Sequence, residues 1–532
     1  MSSSYEPVSL QTLPLDIFQH NLLSYLSYTD LANLSSSSKS LHQSLNTVQT
    51  WQAFLRHRHY IDITQTKPLS CLPLRLRAAI GRRADLGWEN HTFNLTNVFS
   101  KRWQRKCLPR LDISSEFIAV GVGADMHIHW IPEQKIWQRQ QLQEKEWMVY
   151  NLGKHGQMDI TEIIPLSGGG DSTEFIIGQA NGFIRHIVFK KDSAEFSVKR
   201  TFQHPRAIIR SLSITEEYMV ALSSTSSNTH QISFYPLQGI VPSTPEEEDT
   251  VPLSPEISPI HTESPPLTEP WISIDHSTIE PHYTTSYPTR PWNALFLSPS
   301  LLALGSTSPS ALQIYDFYPS SQLQLSRQLH SHPAQLSGLT DSPSFSKTSI
   351  YAMHHYTPSL LLTGWYHGPA NLHDLRLATS YPVLALNDPL DDGAAYSVSA
   401  DGGNRILVGG ANHGMVKVFD IRMPDKGWSI YLARERSPVY AVKGEHSRIF
   451  AATEGTVWEC DLTYKHKPRN YEEDNWRIRS RWGRRAPAPW GRRVGAREED
   501  TLGAQIRLHY GNEKLYRADG SEIGRASTTA VA

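Results

Sequence analysis

The sequence predicts a mainly β protein: a β-propeller of about seven blades, preceded by a small α-helical bundle. Three observations carry this. Apolar residues recur at helical spacing only near the start, over residues 13–54. From about Ile113 the texture changes to short apolar or alternating runs split by Gly, Asn and Asp. Those runs return as strand–turn–strand units, at a spacing near the ~40–45 residues of a propeller blade once insertions are allowed. A length of 532 residues leaves room for several domains or one large repeat array.

The helical segment is read first. Pro14 suits the first turn of a helix, where its missing N–H is not needed. Leu15, Phe18, Leu22 and Leu26 follow at three- and four-residue steps and predict one apolar stripe. Asp16 lies in the first turn, where negative charge suits the helix dipole. Thr29 or Asp30 is expected to cap a second helix, on which Leu31, Leu34, Leu41 and Leu45 share a face. Trp51, Phe54 and Leu55 predict a third short helix. So short a segment buries little of its own apolar surface, so a partner surface is expected.

The ordered combination matters more than the periodicity. Leu13-Pro14, an acid at Asp16, Leu22-Leu23-Ser24-Tyr25-Leu26, Asp30-Leu31, Ser38-Lys39 and finally Trp51 resemble the F-box over about forty residues. Ser37 stands where that family usually has a small apolar residue, and Leu41 where many members carry Trp. The resemblance implies a short helical bundle that docks on a Skp-type adaptor, which in turn holds a cullin ubiquitin ligase. On the matching positions, Leu13, Pro14, Leu22, Leu26, Leu31 and Leu34 would carry the apolar contact. Trp51 would close the bundle and add contact area.

Seven hairpins follow. They pair Phe117–Gly121 with Met126–Ile131, Glu174–Gly178 with Phe183–Phe189, and Tyr218–Leu222 with Gln231–Tyr235. Next come Leu301–Gly305 with Leu312–Tyr318, Leu360–Gly364 with Ala370–Leu375, Arg405–Gly410 with Met415–Ile421, and Arg448–Ala452 with Thr456–Leu462. Asp316, Asp374, Asp420 and Asp461 close the second strand of four of them. Val416-Lys417-Val418-Phe419-Asp420-Ile421 resembles the WD repeat, with Phe419-Asp420 in place of Trp-Asp. A β-sandwich rarely needs so many equal hairpins, so a WD-type propeller is the expected architecture.

The expected organisation is an F-box over 10–60, a linker with a helix over 61–112, a propeller over 113–462 and a basic tail over 463–532. Within the linker, Leu72–Ile80 reads as helical. Trp88 and Trp103 are placed to pack on the propeller, and a nearby segment to supply an outer strand. Residues 242–288, rich in Pro, Ser, Thr and Glu, read as a disordered insertion. Thr244, Ser254, Ser258 and Ser264 precede prolines there, more in keeping with a passive loop than with phosphorylation sites. In the tail, Arg477, Arg479, Arg481, Arg484, Arg485, Arg492 and Arg493 interleave with Trp476, Trp482 and Trp490. That pattern suits phosphate pairing and base stacking or a nuclear address. A solvated tail whose tryptophans dock on the propeller is the reading preferred here. Ile506–Tyr516 reads as one more strand or hairpin.

Composition excludes several classes. The net charge of −1 implies neither a nucleic-acid nor a membrane partner. Cys71, Cys107 and Cys460 form no metal or disulfide spacing and fit a reducing compartment, nuclear or cytosolic. The first residues have no signal-peptide pattern, and no apolar run approaches the roughly 18 residues of a membrane span. No nucleophile elbow, P-loop or zinc-protease motif occurs, so no catalytic residue, cofactor or metal is expected. His127 and His129 share a strand face and read as satisfied core histidines. Gly168-Gly169-Gly170-Asp171 leads to a strand rather than a helix and reads as a turn, and Asp391-Asp392-Gly393 as a loop. The expected role is substrate recruitment for a Skp–cullin–F-box ligase by proximity. The alternative is a non-catalytic scaffold that holds the adaptor without promoting ubiquitin transfer.

Overall fold

In the computed structural model the described residues are, with gaps of one to four residues such as 319–322 and 433–436 excepted, 17–57, 74–89, 93–100, 108–131, 147–237, 278–331 and 348–463, with short strands between 492 and 525. By compactness the chain divides into two units. One comprises Met1–Val120, Ile128–Trp147 and His330–Ala532, the other Gly121–His127 and Met148–Leu329.

Among the described residues four α-helices come first: α1 (Tyr28–Ser37), α2 (Lys39–Leu45), α3 (Val48–His57) and α4 (Leu74–Glu89), with a π-helical turn at Phe18–Leu22 before them. Strands then follow in chain order. They are β1 (Asn94–Ser100), β2–β5 (Arg110–Ile113, Phe117–Val122, Asp125–Trp130, Trp147–Asn151) and β6–β9 (Ile160–Gly169, Ser172–Gln179, Phe183–Lys190, Phe196–Gln203). Next are β10–β12 (Ala207–Ile214, Tyr218–Thr225, His230–Pro236), β13 (Thr278–Ile279), β14 (Tyr283–Tyr287) and β15–β18 (Pro291–Ser298, Leu301–Ser308, Leu312–Asp316, Gln324–Leu329). The last are β19–β22 (Thr348–Thr357, Leu360–Trp365, Ala370–Asp374, Leu384–Leu386), β23–β26 (Arg405–Gly410 as β24, Met415–Asp420 as β25, flanked by Ala395–Ala400 and Met423–Tyr431), β27–β29 (Ala441–Glu445, Arg448–Ala452, Thr456–Asp461), β30 (Arg492–Arg493), β31 (Gln505–Tyr510), β32 (Lys514–Tyr516) and β33 (Glu522–Arg525).

The protein is mainly β, and its sheets have the four-stranded antiparallel meander of propeller blades. In the second unit β6–β9 form one meander, with the two-residue β13 laid parallel on β9. A second is β10-β11-β12-β14, and a third is β15–β18. In the first unit β19–β22 and β23–β26 each run in chain order. The middle strands are buried throughout, as β24 and β20 show, so their sequences are nearly continuous apolar runs.

The last sheet is built from distant parts of the chain. β27, β28 and β29 take β1 as their outer strand, with Asn94 opposite Asp461 and Ser100 opposite Thr456. β26 similarly takes β31 at its free edge, with Trp428 opposite Leu508. This places backbone of the expected extra strand at Ile506, although the strand begins at Gln505.

Two sequence expectations change. The insertion expected to be disordered over 242–288 ends earlier, because Thr278–Ile279 and Tyr283–Tyr287 are strands. Tyr-Thr-Thr-Ser-Tyr alternates in and out, and Tyr287 packs with Phe234 and Phe317 in one cluster. Thr244, Ser254, Ser258 and Ser264 lie outside the described residues. The linker helix expected at 72–80 instead runs to Glu89. Its two ends have different neighbours. Leu74 and Ala78 join the core of the helical bundle, while Ala84 and Trp88 join the core beneath β24–β29. Trp103 and the side chains of the basic tail lie outside the described residues.

Candidate functional site

The helical bundle is assembled by local rules that can be followed residue by residue. Its first turn is π-helical: the Leu23 N–H donates to the Phe18 carbonyl at 3.1 Å, five residues back. One extra residue in the turn means that Leu23, not Leu22, comes round beneath Phe18. Phe18 and Leu23 are buried, whereas Leu22 is turned to the edge of the core.

α1 starts two or three positions earlier than expected. Ser27, not Thr29 or Asp30, is its cap, accepting from the Asp30 N–H at 3.1 Å. The Ser27 N–H in turn donates to the Asp30 carboxylate at 2.9 Å. The second helix of the sequence reading is two helices. Ser35, Ser36 and Ser37 bond back to carbonyls of the preceding turn, and Ser38 leaves the helical region at φ −152°. Its hydroxyl then caps α2 by accepting from the Leu41 N–H at 3.1 Å. Thr47 does the same for α3, accepting from Thr50 N–H at 3.2 Å.

Leu31 and Trp51 are interior. Leu31 is fully buried, and Trp51 is held by Tyr28 and Phe54 rings at 5.9 and 5.8 Å, with its indole N–H donating to Asn46 Oδ1 at 3.1 Å. Both side chains are spent within this bundle. The F-box resemblance marks both positions without saying which side chains lie inside, and here side chains of α2, α3 and α4 pack around them. Leu22, Leu26 and Leu34 pack against the same core but stay half-buried. Around them the bundle exposes Ile17 at 42% and Tyr25 at 84%. Leu13 and Pro14 lie outside the described residues. Tyr25 was legible only as part of the Leu22–Leu26 motif; nothing in periodicity singled it out.

The bundle is fastened to the β array through α4. Arg405 of β24 is 5% exposed and reaches Asp85 of α4 at 2.6 Å and Asp401 at 3.1 Å. Its guanidinium also lies 4.5 Å from the Trp88 ring centroid, and Trp88 meets Trp428 edge-on at 5.1 Å. A charge so enclosed is tolerable because both its sign and its hydrogen bonds are matched.

The remaining polar clusters read as structural. His127 and His129 are buried on β4, and His129 faces the Trp147 ring at 5.6 Å. Gly168 and Gly169, expected in a turn, end β6 opposite Thr173 and Ser172 of β7, because the hairpin is tighter than the glycine run suggests. The Asp391 carboxylate lies 3.0 Å from the ammonium of Lys417 of β25 and neutralises this almost fully buried group, which donates to the Asp391 backbone carbonyl at 2.9 Å. Glu174 is opposed by burial, but hydrogen bonds from Lys199 and from His186 at 2.7 Å outweigh it and hold its carboxyl below the usual range. Burial pushes His186 down in spite of that partner. Among the described residues no three His, Cys, Asp or Glu side chains come together in a way that could hold a metal ion, and no helix is long and apolar enough to cross a membrane.

Comparison with known proteins agrees with the bundle. Residues 10–53 match the family model of the F-box domain. No curated protein is matched. Among solved structures, the crystal structure of Chaetomium thermophilum Raptor is similar at a TM-score of 0.45 and 11% identity, over 83% of this chain and 39% of that chain. The chain therefore spans about two fifths of the Raptor chain's length. It carries an N-terminal F-box domain followed by propeller-like sheets.

Proposed function

We propose that the chain is a substrate-recruiting subunit of a Skp–cullin–F-box ubiquitin ligase. The F-box docks on the Skp-type adaptor through Leu13, Pro14, Leu22, Leu26 and Leu34, with Tyr25 and Ile17 supplying exposed area. Leu31 and Trp51 act from inside, by holding those side chains in place. The meanders form seven blades of a WD-type ring, closed by β1, and the ring presents a target protein to the ligase. The role is proximity and needs no covalent chemistry from this chain.

The observation that carries the reading is the state of the bundle. A segment that matches the F-box model seals its own core yet leaves half-buried leucines and a Tyr that is 84% exposed on its rim. Contiguous exposed apolar patches mark interaction surfaces.

The test is co-purification. Leu22→Asp combined with Leu26→Asp is expected to weaken adaptor binding at least about 100-fold, since each leucine contributes about 1.5–3 kcal/mol when covered. The thermal transition of the β array should be unchanged. Adaptor capture by the double variant at wild-type level would sink the assignment of this surface. Recovery of adaptor without cullin from wild-type chain would favour the scaffold reading instead.

A further inference from the structure

β26 is an outer strand with the burial of an inner one. Trp428 and Ile430 belong to the core beneath β24–β29, and Ser429, on the opposite face, is fully buried too. The outer strand β18 is instead exposed over its first three residues. A fifth strand covers the edge of β26. β31 pairs antiparallel with it over six consecutive residues without a bulge, from Tyr431 opposite Gln505 to Lys426 opposite Tyr510. Among the described residues no other fourth strand carries so long a companion: β9 has only the two-residue β13.

β31 is tied to its sheet differently from the strands it joins. Short turns link β23 to β24, β24 to β25 and β25 to β26, whereas β31 follows only after β27–β29 and residues 462–504. The entropic cost of bringing two segments together grows with the length of chain between them. β30 comes in between, but Arg492 and Arg493 pair with β31 itself and not with β26. β31 is therefore the strand of this sheet that a competing segment displaces at least cost. Its sequence shows what the edge accepts. Gln505-Ile506-Arg507-Leu508-His509-Tyr510 alternates polar and apolar residues, and the register sets Ile506 opposite Ile430 and Leu508 opposite Trp428. A strand added at an edge is held by main-chain hydrogen bonds and selected by its side chains at alternate positions.

We propose that the edge of β26 is a strand-addition site for an extended segment of the target protein, apolar at the two positions opposite Ile430 and Trp428 and polar between them. Residues 505–510 occupy the site in cis until such a segment displaces them. The main-chain bonds of the cis strand and of its replacement are equivalent, so the exchange is decided by the side chains at alternate positions and by the long tether of the cis strand. This deepens the recruiter reading, on which it rests only in calling the segment a target's. The binding itself involves no adaptor, so failure here leaves adaptor docking standing, and failure of adaptor docking leaves the strand site untouched.

The probe is a fluorescent, end-blocked peptide with the order Ala-Gln-Ile-Arg-Leu-His-Tyr-Gly, titrated into full-length chains and read by anisotropy. One chain is the wild type and the other carries Ile506→Pro with Leu508→Pro, which removes N–H groups from the cis strand and stops it pairing. The proline variant should bind the peptide about tenfold or more tightly than the wild type, because the cis strand no longer competes. Leu508→Asp, which leaves every N–H in place, should act in the same direction. A peptide of the same composition ordered Ala-Arg-His-Gln-Ile-Leu-Tyr-Gly, without alternation, should bind about tenfold more weakly. With benzoylphenylalanine in place of its leucine, the probe should attach on irradiation within β24–β26, as mapped by mass spectrometry. Equal binding by wild type and both variants, equal binding of the two peptides, or attachment outside β24–β26 overturns the proposal. A wild-type dimer that the proline pair dissociates also overturns it, because the occupant is then a second copy.

Discussion

His373 of β21 is buried, with Nε2 3.3 Å from the Thr363 hydroxyl. Burial, with His330 adding to it, pushes its pKa from 6.5 down to about 3. The unfolded chain therefore takes up a proton near 6.5 that the folded chain refuses until about 3. The stability this residue allows is complete above 6.5 and is lost as pH falls from there toward 3, with a slope of up to about 1.4 kcal/mol per pH unit. His367, held down to about 4 by burial, acts in the same direction. Urea unfolding at pH 7, 6, 5 and 4 is expected to show stability falling across that range, and His373→Gln should reduce the slope by about one proton. An unchanged slope in the variant would show that His373 is protonated in the folded state.

The same scale explains what could be read of the docking site and what could not. Leu22, Leu26 and Leu34 are visible in sequence because their types and order form a motif. Leu31 and Trp51 belong to the motif too, but a motif does not state which members face a partner and which support those that do. The π-helical turn is invisible to a 3.6-residue template, so the stripe of Phe18, Leu22 and Leu26 misses Leu23, the residue that is buried. Ser27 was overlooked as a cap because Thr29 and Asp30, also good caps, stand next to it.

At the scale of elements, the strands legible in sequence were the second and third of each meander. These are covered on both faces and read as apolar runs. The first strands were missed because a bulge breaks their alternation, as between Ile209 and Ser211 in β10 or Pro291 and Asn293 in β15. The fourth strands were missed because they are largely exposed, as in Gln324–Leu329. α4 was legible only in part. Its sequence changes neighbours midway, so no single stripe runs its length. That double allegiance makes it the element that fixes the F-box against the sheets, and Arg405 is its anchor. Arg405→Leu leaves Asp401, which is almost fully buried, without its partner and should cost about 3–5 kcal/mol. Asp85→Ala should cost less, about 1–2 kcal/mol, because the guanidinium keeps Asp401. Both should raise proteolysis between the bundle and β1 before the sheets melt. Equal effects of the two changes would mean that Asp85 and Asp401 share the charge evenly.

At the scale of the molecule, the notable feature is that the final sheet cannot be completed until its outer strand arrives from residues 94–100. Contacts between such distant segments are slow to form, because the loop must close before any contact is gained. Once formed, they tie the F-box, α4 and β1 to the sheet that ends the array, so opening that sheet should free the docking module as well. Leu95 of β1 provides the test, since it is buried in one cluster with Trp458 and Cys460 of β29. Burial, with Asp461 and Glu459 adding to it, pushes the Cys460 thiol well above its ordinary range, so it is expected to resist alkylation in the native protein. Leu95→Asp places a carboxylate in that cluster and should cost about 3 kcal/mol or more. The prediction is that site-resolved mass spectrometry will find Cys460 alkylated at least about 100-fold faster in the variant, at temperatures where far-ultraviolet circular dichroism is still native. If β1 were a passive edge, Cys460 would stay protected until global unfolding in both proteins. Early exposure of Cys460 with the other sheets intact is the outcome expected when an N-terminal strand, rather than the sheet's own residues, holds the last sheet shut.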